Sequence, residues 1–227
     1  MATNGISAFQ RGVIWAIDLA GQNLPAPIEP RVEARFKEIG PELAGALAQA
    51  MGRSAAESVQ QRLAGNRCAF ALSVEGELAS YCWISQGVEQ VGEMERTIRL
   101  PAGEAYIWDC ATLPAYRRQG LYTALLCLMV QRLAAEGLQR IWIGANLDNL
   151  PSLRAFARAG FRPVLTLTYG RLLGLHISLA AADSEAPGEL VAAARQLFSI
   201  EGEWSSGPLS VGWRQFEWAC DQNGKRR

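Results

Sequence analysis

The sequence predicts an α/β domain of the layered α+β type, in which helices cover a mixed β-sheet. Two observations support this prediction. Short β-branched and apolar runs alternate with segments of helical period, in the order strand, two helices, three strands, helix, strand, helix, strand. Hydrophobic residues make up 49% of the 227 residues, which is enough for a sizeable core and excludes a disordered or fibrous protein.

Composition excludes several classes of function. The 22 lysine and arginine residues balance the 22 aspartate and glutamate residues, so broad nucleic-acid binding is not expected. No apolar run approaches the roughly 18 residues of a membrane span, and we expect neither an anchor nor a signal peptide. Five cysteines without a C-x-x-C pair and one histidine, His176, argue against a disulfide framework or a metal site. We therefore expect a soluble protein of the reducing cytoplasm.

The N-terminal third is predicted to contain one strand and two helices. Residues 13–19 form a short apolar strand that ends in a loop, residues 22–30, where three prolines exclude regular structure. Residues 31–63 are rich in alanine, leucine and glutamate, which predicts two helices broken near residues 52–54. Pro41 is expected to open a turn or to kink the first of them.

The remaining elements follow from changes in period. A hairpin is expected around Glu75-Gly76, and a polar stretch then separates it from a third strand. After Pro114 the apolar residues take helical spacing until Gly137. The predicted ranges are strands 68–74, 78–85, 105–113, 140–145 and 161–173, the polar stretch 87–103, helices 121–133, 149–159 and 187–198, and a further strand in 209–218.

The turn between strand 105–113 and the following helix carries the clearest chemical signal. It contains Arg117, Arg118 and Gly120, and the first helical turn after it has unpaired N–H groups. These N–H groups, the helix dipole and a glycine that permits close approach together form an anion cradle. Residues 114–171 contain eight arginines but only two acidic residues, Glu136 and Asp148, so positive charge is concentrated around this turn.

Two motifs in this region resemble those of the GNAT superfamily of acyl-CoA-dependent N-acyltransferases. The turn Arg117-Arg118-Gln119-Gly120-Leu121-Tyr122 is similar to the family's R/Q-x-x-G-x-G/A turn. Asn149, Ser152, Phe156 and Gly160-Phe161 follow the spacing of the N-x-x-S-x-x-x-Y-x-x-x-G-F signature. The resemblance covers about residues 13–173, and it implies a mostly antiparallel sheet with splayed fourth and fifth strands and helices on both faces. We expect a domain of residues 1–175 and an extension, 176–227, that packs on it or completes it.

The resemblance also implies where acyl-CoA would bind. The family's fourth and fifth strands correspond to residues 105–113 and 140–145. Cys110, Ala111 and Thr112 would meet the pantetheine arm and the thioester. The pyrophosphate would be surrounded by Arg117, Arg118, Gln119, Gly120, Leu121, Tyr122 and Thr123. Asn149 and Ser152 would contact the co-substrate near its reactive end or cap the short helix.

The chain departs from the family pattern at three positions. Tyr122 replaces the second small residue of the turn, and its side chain is expected to point away from the phosphates. Phe156 replaces the tyrosine that protonates the departing thiolate, and phenylalanine has no proton to donate. Gly144 stands where one branch of the family carries the glutamate that acts as base.

The candidates for the general base are therefore Asp109 and Glu104. Strand alternation places Asp109 on the face opposite Trp108 and Cys110 unless a bulge reverses it. Deprotonation through water, or by a group in the C-terminal part, remains an alternative.

The sequence thus predicts an N-acyltransferase that moves an acetyl or other short acyl group from acyl-CoA to an amine of a small molecule or peptide by direct attack. We expect no nucleic-acid or membrane partner and no metal, and a homodimer is possible. A non-catalytic acyl-CoA-binding or regulatory module, and an enzyme of another acyl-group reaction, are the alternatives.

Overall fold

The computed structural model describes residues 9–20, 24, 26–52, 56–65, 67–94, 96–172, 175–198 and 210–212. The strands are β1 (Gln10–Asp18), β2 (Arg35–Glu38), β3 (Arg67–Val74), β4 (Glu77–Ser85), β5 (Val88–Val91), β6 (Arg96–Arg99), β7 (Glu104–Thr112), β8 (Arg140–Asn146), β9 (Arg162–Leu172), β10 (Leu175–Ala182) and β11 (Ser210–Gly212). The helices are α1 (Ala44–Ala50), α2 (Ala56–Leu63), α3 (Leu121–Ala135), α4 (Leu150–Arg158) and α5 (Gly188–Leu197).

Nine of these strands form one mixed sheet, in the order β11-β10-β9-β1-β8-β7-β4-β3-β2. Neighbouring strands are antiparallel except β7 and β8, which run parallel. Helices α3 and α4 pack on one face, whereas α1 and α5 pack on the other. The predicted fold class is confirmed.

Helix α3 forms the centre of the core because it is apolar on almost every side. Nine of its fifteen residues are buried, among them Leu125, Met129 and Leu133. Such a helix is stable only between a sheet and other elements. It ends where predicted, since Gly137 takes the left-handed conformation (φ 84°) that commonly terminates a helix.

The first predicted helix is partly wrong. Residues 35–38 form the edge strand β2, which pairs with β3, and the ring of Phe36 stacks on Phe70 at 5.4 Å between centroids. A short 3-10 turn then begins at Pro41, and α1 follows it. Strand pairing and aromatic packing outweigh the weak helix preference of these few residues.

The polar stretch 87–103 contains an unpredicted hairpin, β5–β6. Its inward residues Val91 and Ile98, and Leu100 directly after β6, join the core cluster of the α5 face. Glu89 on β5 is buried but paired, because Arg67 donates to its carboxylate at 2.7 and 2.9 Å. This buried charge interrupts the apolar alternation by which a hairpin is recognised in a sequence.

The C-terminal region adds to the sheet. Strand β10, which the sequence did not predict, pairs with β9 along its whole length, and α5 lies within the predicted range 187–198. Of the strand predicted in residues 209–218, the structure describes 210–212, which pair with β10. The other residues of that range lie outside the described part, and the domain boundary at residue 175 stays a prediction. Within the described residues, none of the helices has the length and apolarity that crossing a membrane requires.

Candidate active site

The sheet opens between β7 and β8. Their parallel pairing runs from Glu104 and Arg140 to Ile107 and Ile143 and stops there, although both strands continue. Beyond Ile107, the edge of β7 that faces β8 therefore has no strand partner in the described sheet. Unpaired backbone donors and acceptors on such an edge are available to a ligand.

A bulge lies on β7 at this opening. Trp83 of β4 is opposite Trp108, but Tyr81 is already opposite Ala111, so two residues of β7 face one of β4. Asp109 takes a left-handed conformation (φ 43°), which is uncommon for any residue other than glycine. The bulge interrupts the alternation of side chains along β7, and Asp109 therefore lines the same cavity as Trp108 and Cys110.

A cavity of about 630 Å³ lies at the opening. Its walls come from the strands β1, β5, β7, β8 and β9, from α2, α4 and the first turn of α3, and from the segment that follows β5. Among the described residues that line it, Arg62 and Asp109 are the charged ones. A ligand in this cavity would therefore meet one cation and one anion.

Arg62 and Asp109 form an ion pair on the cavity wall. The Arg62 Nη1 donates to Asp109 Oδ2 at 2.6 Å, and the guanidinium carbon lies 4.8 Å from the ring centroid of Trp108. The indole of Trp108 donates in turn to Ser85 Oγ at 2.8 Å. This chain of contacts holds the carboxylate of Asp109 in one position.

The predicted anion cradle is present as a backbone geometry. Gly120, the residue before α3, is left-handed (φ 80°), and the first helical hydrogen bond of α3 runs from Ala124 N to Gly120 O. The N–H groups of residues 121–123 therefore precede the helical ladder, as the first N–H groups of any helix do. Gln119 contributes a buried side-chain oxygen that has no hydrogen-bond partner among the described residues. The N–H groups and the left-handed glycine fit a phosphate group, which accepts hydrogen bonds and carries negative charge, whereas the Gln119 oxygen is itself an acceptor and would need a donor.

The two arginines of the turn differ in their contacts. Arg117 Nε donates to the carbonyl oxygen of Thr112 at 3.1 Å, which ties the turn to the end of β7. Arg118 is exposed and left-handed (φ 63°). Arg117 and Arg118 directly precede the cradle, so their guanidinium groups would attract a phosphate bound there.

Asn149 and Ser152 open helix α4 at the cavity. Asn149 Oδ1 accepts a hydrogen bond from the backbone N–H of Ser152 at 3.3 Å, so Asn149 caps the helix. Both residues line the cavity. The capping role that the sequence left open is confirmed, and contact with a co-substrate stays a prediction.

Tyr122 projects into the same cavity, beside Phe156. Their ring centroids are 6.4 Å apart in an edge-to-face arrangement, and Phe156 is 1% exposed. The Tyr122 hydroxyl interacts with the Ser152 hydroxyl and the Cys110 thiol. Burial, together with the neighbouring thiols of Cys110 and Cys82, raises the pKa of Tyr122 well above its usual value, so the phenol stays protonated.

Glu104 lies at the other end of β7. Its carboxylate accepts from Trp142 Nε1 at 2.6 Å and from Arg140 Nη1 at 3.2 Å, and Arg140 also pairs with Asp18. Glu104 is not among the residues that line the cavity. These contacts describe a structural network, so the sequence-based proposal of Glu104 as a base gains no support.

The structure thus brings part of the predicted site together. Among the predicted residues, those lining the cavity are Asp109, Cys110, Tyr122, Asn149 and Ser152. Those outside its lining are Glu104, Ala111, Thr112, Arg117, Arg118, Gln119, Gly120, Leu121 and Thr123. Most of this second group belongs to the turn and first helical residues that form the cradle.

Comparison with known families identifies the fold that carries this site. The acetyltransferase (GNAT) family matches residues 37–161, which is more than half of the 227-residue chain. The chain belongs to the GNAT acetyltransferase family. The resemblance of the two motifs is thereby confirmed, and acyl transfer in general is the chemistry of this family.

Solved structures agree with this assignment at the level of the fold. A protein of the GNAT family from Novosphingobium aromaticivorans has a TM-score of 0.52 at 15% identity, covering 72% of this chain and 64% of that one. A Drosophila protein has a TM-score of 0.51 at 16% identity, covering 75% of this chain and 54% of that one. The matched region thus spans less than two thirds of either structure. The ribosomal-protein-S18-alanine N-acetyltransferase from Escherichia coli has a TM-score of 0.45 at 17% identity, covering 57% and 78%. Among curated proteins, no sequence matches the chain.

Sequence reasoning missed several residues of the candidate site in this GNAT chain. Arg62 is 47 positions from its partner Asp109, and no local pattern indicates the pair. The segment that follows β5, including Gly92 and Met94, contributes a wall of the cavity but lies in the stretch predicted to be a polar separator. Tyr169 reaches the cavity from β9, where it donates to Asn146 Oδ1 at 3.3 Å.

Gly144 has a packing reason for being glycine. A Cβ atom there would lie 3.1 Å from Ile14 Cδ1 and 3.6 Å from the Tyr106 hydroxyl oxygen. A glutamate at this position would have to displace Ile14. The packing around residue 144 of this GNAT chain therefore suits glycine and not the glutamate found in one branch of the family.

The network around Glu104 leads to a testable prediction. We expect Glu104→Gln to lower the free energy of unfolding by about 1–2 kcal/mol, because the charge opposite Arg140 is lost while an acceptor for Trp142 remains. Urea denaturation would measure this. The matched control is Glu38→Gln, which alters an exposed ion pair with Arg132 and should have a smaller effect. A loss of turnover without a loss of stability would contradict the structural role and restore Glu104 as a candidate base.

Proposed function

We propose that this chain transfers a short acyl group, in the simplest case acetyl, from acyl-CoA to the amine of a small molecule or peptide. The single observation that carries the proposal is the opening between β7 and β8 directly beside the cradle at Gly120. Membership of the GNAT family supports acyl transfer in general.

The residues present suit an extended co-substrate with phosphates at one end. Pyrophosphate would bind the N–H groups of residues 121–123 and the side chains of Arg117 and Arg118. The pantetheine arm would lie along the unpaired edge of β7, where backbone groups can pair with its amides as a strand would. The thioester would then lie in the cavity beside Asp109 and Cys110.

Direct transfer requires three events in this cavity. The amine nitrogen attacks the thioester carbon and forms the new N–C bond, the C–S bond breaks to release CoA, and the nitrogen loses a proton. We propose Asp109 as the group that accepts the proton the nitrogen loses, because its carboxylate lines the cavity at the bulge. Holding both reactants in one cavity supplies a further part of the acceleration.

A non-catalytic acyl-CoA-binding module is the second candidate. It is favoured by Phe156, which offers no proton, and by Gly144, which offers no carboxylate. Both candidates share the cradle, and they differ in turnover.

A thermal-shift titration with acetyl-CoA tests the binding that both candidates require. At about 100 times the Kd, a ligand specific for the folded state adds about 2.7 kcal/mol, which corresponds to a rise in Tm of about 5–10 °C. An unchanged Tm at millimolar acetyl-CoA would overturn both candidates. Release of the CoA thiol with a panel of amines then separates them, since the binding module would release none.

A further inference from the structure

The cavity contains a phenol whose position suits the leaving group of the proposed reaction. Tyr122 lies in the first turn of α3, two residues after Gly120, and its ring contacts the edge of Phe156 in the cavity. The first turn of α3, which forms the cradle, therefore also places a phenol in the wall of the cavity where the thioester is proposed to lie.

Other hydroxyl groups of the cavity are placed less well. Tyr169 reaches it from β9 and already donates to Asn146. The ring of Tyr106 packs against Phe198, and its hydroxyl is directed towards Gly144 on β8. Ser152 is an alcohol, a much weaker acid than a phenol. Of the described residues, Tyr122 combines a phenol with contacts to both α4 and the bulged strand β7.

We propose that Tyr122 donates the proton that the departing CoA sulfur takes up, in place of the hydroxyl that Phe156 lacks. This inference rests on the proposed function and adds a catalytic residue to it. When the C–S bond breaks, the sulfur keeps the bonding electron pair and accepts a proton from the Tyr122 oxygen. The proton that the amine nitrogen loses passes through Asp109 or water and restores the phenol, so that protons balance over one turnover.

The surroundings of Tyr122 suit a donor. Because burial raises the pKa of the phenol, Tyr122 remains protonated at the pH at which amines react. In the absence of substrate, the Ser152 hydroxyl and the Cys110 thiol can satisfy its hydrogen bond. A thiolate in the same cavity would be a stronger acceptor than either, since hydrogen bonds to ionised groups are roughly twice as strong.

Binding of two nucleotides tests the contact without any acceptor amine. CoA and desulfo-CoA, in which hydrogen replaces the thiol, would be titrated into the wild type and into Tyr122→Phe at pH 9.5. At this pH the free thiol, with a pKa of about 8.5, is mostly thiolate. We expect Tyr122→Phe to weaken CoA binding roughly 10-fold and to leave desulfo-CoA binding unchanged. Equal weakening of both ligands would indicate lost packing and would overturn the proposal.

Turnover with an accepted amine supplies the second readout. Tyr122→Phe should lower kcat roughly 10- to 100-fold with little change in the KM for acetyl-CoA. The double variant Tyr122→Phe/Phe156→Tyr returns a phenol from the neighbouring ring and should recover part of the loss. Melting temperatures of all variants control for folding.

The outcomes separate this inference from the function on which it rests. A wild type that turns over, with a kcat that Tyr122→Phe leaves unchanged or raises, would overturn the role of Tyr122 alone. An increase would show that the ring obstructs the path of the co-substrate. A wild type that binds neither CoA nor desulfo-CoA would overturn the proposed function and, with it, the role of Tyr122.

Discussion

Replacement of Gly120 by aspartate should weaken the binding of acetyl-CoA roughly 100-fold. The new carboxylate would lie at the N-terminus of α3, where it repels the pyrophosphate and competes for the N–H groups of residues 121–123. Aspartate tolerates the left-handed conformation of this position better than most residues, so the fold should be kept. Isothermal titration with acetyl-CoA would measure the loss.

Gly120→Asn is the matched control, because asparagine has the same shape without the charge. A Cβ atom at this position would lie 3.7 Å from Pro30 Cα, an ordinary van der Waals distance, and both variants share the strain of a side chain in the left-handed conformation. We expect Gly120→Asn to bind acetyl-CoA several-fold more weakly than the wild type and far more tightly than Gly120→Asp. Equal affinities of Gly120→Asp and the wild type would show that phosphate binds elsewhere.

Asp109→Asn should lower kcat by about 100- to 10,000-fold, which is the range for loss of a general base. Asparagine keeps the shape of the side chain and can still accept a hydrogen bond from Arg62, but it cannot take up a proton from the amine. Steady-state rates of CoA thiol release at several pH values, with an accepted amine, would measure the effect. The loss should shrink at high pH, where more of the amine is already deprotonated.

Arg62→Met tests whether Asp109 acts as the base or only as the ion-pair partner of Arg62. It removes the partner of Asp109 but keeps the carboxylate and an apolar stem against Trp108. We expect a smaller loss of kcat from Arg62→Met than from Asp109→Asn. If the two variants lose the same amount, Asp109 serves to hold Arg62 and is not the base.

The sequence determined those elements in which the spacing of apolar residues and the turn residues at the ends indicate the same secondary structure. The apolar spacing from Leu121 to Leu133 and the stop at Gly137 predicted α3 closely. The hairpin around Glu75-Gly76 was equally clear, since Glu75 and Gly76 both take positive φ between two apolar runs. The two motifs around Gly120 and Asn149 indicated the family, because each is contiguous or nearly so.

Residues whose structure depends on distant partners were not predictable in this way. Strand β2 exists because Phe36 meets Phe70, and β5 is recognisable only once Arg67 neutralises the buried Glu89. Strand β10 forms by pairing with the edge of β9 that β1 does not cover, and no sequence period near His176 indicates it. In each case, the energy that decides the conformation comes from contacts across the sheet, which a window of neighbouring residues does not contain.

The candidate site divides along the same line. The cradle at Gly120 follows from local sequence, since a glycine before a helix and the free N–H groups of its first turn are properties of one segment. The position of Asp109 depends instead on a bulge set by the register between β4 and β7, and on Arg62 from a helix far away in the sequence. The place of Tyr122 beside Phe156 likewise depends on the packing of α3 against α4. The sequence alone thus determined the family and the candidate cradle at Gly120, whereas only the tertiary structure decided which acid and which phenols line the cavity, because those positions are set by contacts between distant segments.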